Sequence, residues 1–278
     1  MSTLLGIDVS ANQGTVDWNT VRNADVVFGV ARAIRENGLV DNFFVRNWTE
    51  MKSAGVIRGA YIFFNAAQDA AGQAQKFLST VQIAENDLPP VLDIEKNEGV
   101  TGSKLIDSVQ TWLEIMEKET GRKPIIYTGP SFWNSNMNDQ FGSYPLWIAR
   151  YGASKPDPLP KGWDSWTFWQ YTETGKVAGV NGSVDMNYFN GTLDDLLVFV
   201  KGSASGAVVT PQPVAGTPAT PTTPATSAQQ QLYTVQAGDT LGAIAARFNV
   251  PLQTLVDANH LANANVILVG QKLEIPEA

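Results

Sequence analysis

The chain has 278 residues, 44% of them hydrophobic, and carries 19 basic against 27 acidic side chains for a formal net charge of -8. It has no cysteine and a single histidine, His260, which excludes thiol peptidases and a zinc centre built on several histidines. The acidic balance lacks the basic face that nucleic acid or an anionic membrane would need, so no nucleic-acid partner is expected and carboxylate chemistry is the main route left for an enzyme.

In chain order, residues 1–8 show no basic stretch followed by a long apolar one, and so are read as neither a secretory signal nor a membrane span. Strand patterns then fall at 4–10, 26–33, 57–64, 90–95, 124–128, 146–151, 167–172 and 184–188. Helical patterns occupy 16–23, 42–54, 69–81 and 103–119, with stop signals at Gly55 and Gly121. Repeated strand–helix–strand units predict an α/β fold with a parallel sheet, and the number of strands predicts a closed, TIM-like β/α barrel over residues 1–201. Crossovers after residue 127 are short, so the barrel is expected to be irregular, with its last strands lacking full helices.

Residues 202–231 contain no charged and no aromatic side chain, and Pro211, Pro213, Pro218, Pro221 and Pro224 punctuate them. Such a composition buries too little apolar surface to offset ordering entropy, and predicts an extended linker. Beyond it, residues 232–278 form a small α+β module read as strand, helix, helix, strand, with elements at 233–236, 240–248, 252–259 and 272–275.

The most informative run is VLDIEK at residues 91–96. Asp93 and Glu95 are two apart on a strand, so their side chains share a face while Ile94 points to the other. Asp8 and Asp185 occupy similar places in other strands. If the barrel closes, the first and last strands become neighbours and all four carboxylates converge at one mouth. Crowded carboxylates repel, so at least one keeps a proton. That supplies what glycosidic cleavage requires: a neutral acid for the leaving oxygen and an anion for the positive charge at the sugar ring. Glu95, with the longer arm, is the expected general acid and Asp93 the anion.

Aromatic residues in the strands fit a sugar site: Tyr61, Tyr127, Trp147, Trp169 and Tyr171 offer flat faces. Tyr61, Tyr127, Trp147, Gln170 and Arg32 are the candidate substrate contacts. Phe63, Phe64 and Phe168 are read as core, as are Trp18, Trp48 and Trp112. Arg32 and Arg150 fit either a role in orienting carboxylates or ordinary structural ion pairs. No cofactor motif or metal site is evident.

These residues resemble glycoside hydrolase family 25, the lysozymes of muramidase type. The likeness is carried by GIDVSANQG at 6–14, VARA at 30–33 with NGLVDNFF at 37–44, AGVIRGAYIFF at 54–64, PPVLDIE at 89–95, PIIYTGPSFW at 124–133, PLWIARY at 145–151, WTFWQYT at 166–172 and VDMNYFNG at 184–191. It implies hydrolysis of the β-1,4 bond between N-acetylmuramic acid and N-acetylglucosamine in bacterial peptidoglycan. It places the general-acid role on Glu95. Charge stabilisation and orientation of the 2-acetamido group fall on Asp93, by a substrate-assisted route, with Asp8 and Asp185 in support. Members often carry a histidine after the tyrosine of GAY; here Ile62 stands there. The tail from Tyr233 resembles a LysM domain, which implies binding of N-acetylglucosamine-containing glycan through Gly238, Asp239, Thr240, Leu241, Val266, Ile267 and Gly270. Asp239 or Thr240 also fits a helix cap, Gly270 a turn, and His260 a structural place at a helix end. Together these imply a monomeric lytic enzyme of endolysin or autolysin type, made in the cytoplasm of a bacterial host and acting on the wall after release. The alternatives are an endo-N-acetylglucosaminidase cutting the other bond, or a wall-binding protein without catalysis.

Overall fold

The computed structural model describes residues 3–202, 231–236, 239–259 and 271–276. The chain divides into two compact units, Met1–Gly202 and Ser203–Ala278. Among the described residues no helix is long and apolar enough to cross a membrane.

The first unit is a closed eight-stranded barrel in sequential order. Its strands are β1 (Leu4–Val9), β2 (Val26–Ile34), β3 (Ile57–Phe63), β4 (Val91–Asp93), β5 (Ile125–Thr128), β6 (Leu146–Ala149), β7 (Phe168–Gly175) and β8 (Val184–Phe189). Six helices accompany them: α1 (Trp18–Asn23), α2 (Phe44–Ser53), α3 (Ala70–Thr80), α4 (Ser103–Thr120), α5 (Pro130–Asn136) and α6 (Leu193–Lys201). β1 to β7 pair in parallel, whereas β8 lies antiparallel to both β7 and β1. That reversal corrects the expectation of a uniformly parallel sheet. Its cause is local: only residues 176–183 separate β7 from β8, too few for the helical crossover that a parallel neighbour requires.

Three helix starts follow side-chain chemistry. Asp17 and Asp69 accept the Thr20 and Gly72 amides at the starts of α1 and α3, and Thr192 with Asp195 forms a reciprocal capping box at α6. Gly121 ends α4 in the left-handed conformation at φ 67°. The short helices α5 and α6 were not predicted; Pro130 at the first turn of α5 is the signal for one of them.

Alternation along the strands separates two apolar regions. Outward residues such as Ile7, Val9, Ile62 and Ile94 pack with Trp18, Phe44, Phe77 and Trp112 in a layer between barrel and helices. Inward residues plug the barrel: the Phe168 ring packs against Phe28 at 5.3 Å, Phe189 at 5.2 Å and Trp147 at 6.2 Å. Gly6 makes room for this plug, since a Cβ there would lie 2.2 Å from the Phe28 ring. Above the plug the interior turns polar, and the site begins.

The second unit has the expected β-α-α-β order: β9 (Gln231–Thr234), α7 (Leu241–Arg247), α8 (Leu252–Ala258) and β10 (Lys272–Ile275). β9 and β10 pair antiparallel, Tyr233 opposite Leu273. Tyr233, Val235, Leu241, Ile244, Leu255, Leu273 and Ile275 form its core. The predicted linker, apart from Gly202 and Gln231, lies outside the described residues, as do His260, Gly238, Val266, Ile267 and Gly270.

Candidate active site

A pocket of about 250 Å³ opens where β1 to β7 present their C-terminal ends. Asp8, Asp93, Glu95 and Asp185 all line it, together with Tyr61, Tyr127, Trp147, Gln170 and Arg32. Asp8 is the penultimate residue of β1 and Asp93 closes β4. Asp185 arrives differently: because β8 is reversed, its beginning reaches this mouth, and Asp185 stands opposite Asp8 in register.

Hydrogen bonding continues past the end of β4 and fixes Glu95. The Ile94 amide donates to the Tyr127 carbonyl at 3.0 Å, and Thr128 Oγ1 donates to the Ile94 carbonyl at 2.9 Å. Ile94 is fully buried in the outer layer, so Asp93 and Glu95 both turn inward. Asp93 is buried, at 5% exposure, with its Oδ1 lacking a hydrogen-bond partner, while Glu95 is exposed at the mouth.

Asp8 is held by an ordered relay. Trp147 Nε1 donates to Asn187 Oδ1 at 2.8 Å, and Asn187 Nδ2 donates to Asp8 Oδ2 at 2.8 Å. An indole N–H can only donate, so the Asn187 oxygen must face Trp147 and its amide must face Asp8. From the other side, Gln170 Nε2 donates to the same Asp8 oxygen at 2.8 Å, while Gln170 Oε1 accepts the hydroxyls of Tyr127 at 2.8 Å and Tyr151 at 2.5 Å. Every polarity in the relay favours an anionic Asp8.

Electrostatics then set the protons. Burial raises the Asp8 carboxyl above its ordinary value, opposed by hydrogen bonds from Asn187, Gln170 and Asp185. Burial and the Asp8 charge push Asp185 up to about 8, so this pair holds one proton at neutral pH, on Asp185. The Asp93–Glu95 pair behaves alike. Burial, then the Glu95 charge, drives Asp93 well above the carboxylate range; partial desolvation by the pocket walls raises Glu95 as well, with the hydrogen bond from Asp93 pulling it back. Both carboxyls of this pair are thus raised, Asp93 as the deeper group and Glu95 at the mouth. Tyr61 and Tyr127, pushed well up by burial, stay neutral donors.

Arg32 is committed to the buried Asp41, by Nε at 2.9 Å and Nη2 at 2.8 Å, while Asp41 also accepts the Ala11 amide. Its charge nevertheless lowers Asp93. It is thus a structural pair and a cation at the mouth together. Arg150 donates to the Pro158 carbonyl and does not line the pocket.

Several expectations are corrected. Trp169 and Tyr171 do not line the pocket: neighbours of the inward Gln170, they must point outward, where Trp169 Nε1 donates to the Arg150 carbonyl and Tyr171 stacks on Tyr188 at 4.3 Å. Phe63, expected in the core, lines the pocket; Phe64 and Phe168 are buried as expected. Ile62 faces the outer layer, so the change from histidine takes nothing from the mouth. Tyr151, Glu173 and Asn187 were missed. Tyr151 and Asn187 share the parity of Trp147 and Asp185, a signal open to inspection. Glu173 follows a register shift between Gln170 and Thr172 that reverses the inward parity. In the second unit, Leu241 is 1% exposed in the core, so its side chain is not a surface contact. Thr240 caps α7, and Asp239 accepts the Tyr233 hydroxyl at 2.7 Å and the Gln236 amide at 2.8 Å.

Residues 7–180 match the family described as glycosyl hydrolases family 25, and residues 233–276 match the LysM domain. The chain is 40% identical over 205 residues to the uncharacterized protein YegX of Escherichia coli K12, covering 72% of this chain and 74% of that one. It is 37% identical over 216 residues to lysozyme M1 of Streptomyces globisporus, covering 73% of each. Among solved structures, the bacterial lysozyme of Streptomyces coelicolor superposes with a TM-score of 0.69 at 35% identity, over 72% of this chain and 98% of that one.

Proposed function

The chain belongs to glycosyl hydrolase family 25 and is a lysozyme-type glycoside hydrolase carrying a LysM domain, and on that premise we propose that it cuts peptidoglycan at the β-1,4 bond from N-acetylmuramic acid to N-acetylglucosamine. The observation that carries the reading is the convergence of four carboxyls at one mouth, where burial raises Asp93 well above the carboxylate range and Asp185 to about 8.

Glu95 protonates the glycosidic oxygen as the bond from C1 breaks. It is the exposed member of its pair, on the longer arm. A proton shared between Asp93 and Glu95 serves this step when it lies on Glu95. A sugar lying over Glu95 excludes water from it and evens the desolvation of the two groups. An acetamido N–H donated to Asp93 then favours the anion there, and the proton moves to Glu95. The acetamido oxygen, oriented by that contact, closes on C1 and meets the positive charge. Water later opens this intermediate and returns a proton to Glu95. The buried Asp93 Oδ1 without a hydrogen-bond partner supports this route, because it leaves an acceptor free for the acetamido N–H. Asp8 stays charged beneath the ring, and Tyr61, Tyr127 and Trp147 border the sugar.

The same reading makes the chain a lytic enzyme of endolysin type that acts on the bacterial wall after release, held there by its LysM domain; a hydrolase and a glycan-binding module on one chain support it. One weak binding module raises the local concentration of the hydrolase at its substrate.

Glu95→Gln tests the assignment. It keeps the shape and removes the proton, so turbidity clearance should fall about 10²–10⁴-fold with folding and wall binding retained. Near-normal clearance by this variant would reject Glu95 as the acid.

A further inference from the structure

Beside the catalytic pocket lies a second cleft of about 520 Å³, and the two share Arg32 and Phe63 as a common wall. Their charges are opposite. The catalytic pocket is lined by Asp8, Asp93, Glu95, Glu173 and Asp185 against Arg32 alone, whereas its neighbour is lined by Arg32, Arg35 and Lys96 against Glu36. A neutral sugar has no use for such a cluster of cations, and the chain as a whole is acidic.

The three cations are not equally engaged. Arg32 is bound to Asp41. Lys96 meets Glu36 at 3.3 Å, in an exposed pair that solvent screens, and lies 5.3 Å above the Phe63 ring. Arg35 has no carboxylate within 4.0 Å among the described residues, and its buried Nε has no hydrogen-bond partner. Its Nη2 donates only to the Val40 carbonyl at 3.2 Å and Asn42 Oδ1 at 3.3 Å. A tight turn holds it, the Arg35 amide donating to the Leu39 carbonyl at 2.9 Å and the Gly38 amide to the Arg35 carbonyl at 2.8 Å. Asn65 and Gln68, both tied to the Glu36 carbonyl, add carboxamides to the cleft.

We infer that this cleft is an accessory subsite for the carboxylate-bearing peptide attached to the muramic acid residue, with Arg35 as its anchor and Lys96 in support. The inference rests on the hydrolase reading above. The acids of the catalytic pocket repel a carboxylate while the cations next door attract it, so the juxtaposed fields turn the peptide aside as the sugar enters. The carboxamides match the donors and acceptors of a peptide backbone. A peptide borne by the very sugar that occupies the first pocket reaches the second without a separate binding event, which favours it over free wall phosphates.

The test compares kcat/KM on glycan strands bearing their peptides with that on the same strands stripped by an amidase. The wild type should prefer peptide-bearing strands. Arg35→Gln should reduce that preference about 10-fold, chiefly through KM, with cleavage of stripped strands unchanged; Arg35→Lys should recover part of it. Raising the salt should narrow the preference of the wild type but not of Arg35→Gln. Should Arg35→Gln fail to fold, Lys96→Gln and the salt response of the wild type carry the comparison. Equal cleavage of both strands by the wild type, or equal slowing of both by Arg35→Gln, would overturn the subsite alone. Cleavage of neither strand would overturn the hydrolase reading itself.

Discussion

Asn187→Asp changes one atom of the relay under Asp8 and leaves its volume intact. Asn187 is fully buried between Trp147, which can only donate, and Asp8, which accepts. A carboxyl at 187 can satisfy both partners only while protonated. If it ionised, repulsion from Asp8 at about 4 Å would cost ~4 kcal/mol even at an effective dielectric of about 20, and the lost charged hydrogen bond a further ~1.5–3 kcal/mol. Keeping the proton costs less: about 1.36 kcal/mol for each pH unit above the unfolded value of about 3.9. The variant should thus be destabilised by ~1.5 kcal/mol at about pH 5 and ~4 kcal/mol at about pH 7. The sign follows from linkage. The folded pKa at 187 is raised above the unfolded one, so stability is fully present below the unfolded pKa and is lost as pH rises toward the folded one. Tryptophan fluorescence during guanidinium unfolding measures it, since all eight tryptophans lie between Trp18 and Trp169 and report on the barrel alone. A stability gap that stays constant from about pH 5 to pH 7 would refute the claim that the Asn187 amide faces a charged Asp8.

Asp185→Asn should gain thermal stability relative to the wild type as pH rises. Asp185 is raised to about 8 in the fold from 3.8, so the wild type loses stability across that interval and the amide does not; a gain of equal size at about pH 5 and pH 9 in melting scans would count against the shared proton. Trp147→Phe should lower kcat/KM at least ~10-fold by releasing Asn187, while Trp169→Phe, on the outer face, should stay within about 2-fold; equal effects would contradict the inward and outward assignments. Removing residues 202–278 should weaken lysis of intact cells more than cleavage of soluble glycan fragments, and equal losses on the two substrates would argue against a tether.

The parts of this site that follow a two-residue period were legible in the sequence. Asp93 and Glu95 flank the buried Ile94, and Asp8 could be placed beside Asp185 once the barrel was taken to close. The same period makes Trp169 and Tyr171 incompatible with an inward Gln170, a constraint present in the sequence but outweighed there by their flat rings. Strand direction leaves no such trace. Alternation in VDMNYF is the same read either way, so the reversal of β8 becomes visible only through the short connection before it. Glu173 is hidden for another reason, because the register shift that turns it inward depends on pairing with β8 and not on β7 itself. The raised carboxyls were not legible in full either. Glu95 was identified as the acid from reach, whereas the raising of both Asp93 and Glu95 depends on burial, and burial depends on every strand around them.

The most direct test is to digest purified peptidoglycan with the full-length protein, reduce the products with borohydride and identify the new terminal sugar. Muramitol, absent from a parallel digest with Glu95→Gln, is the expected result. Glucosaminitol would show that the neighbouring bond is the one cut, and no new reducing ends at all would contradict glycan hydrolysis by these paired carboxyls.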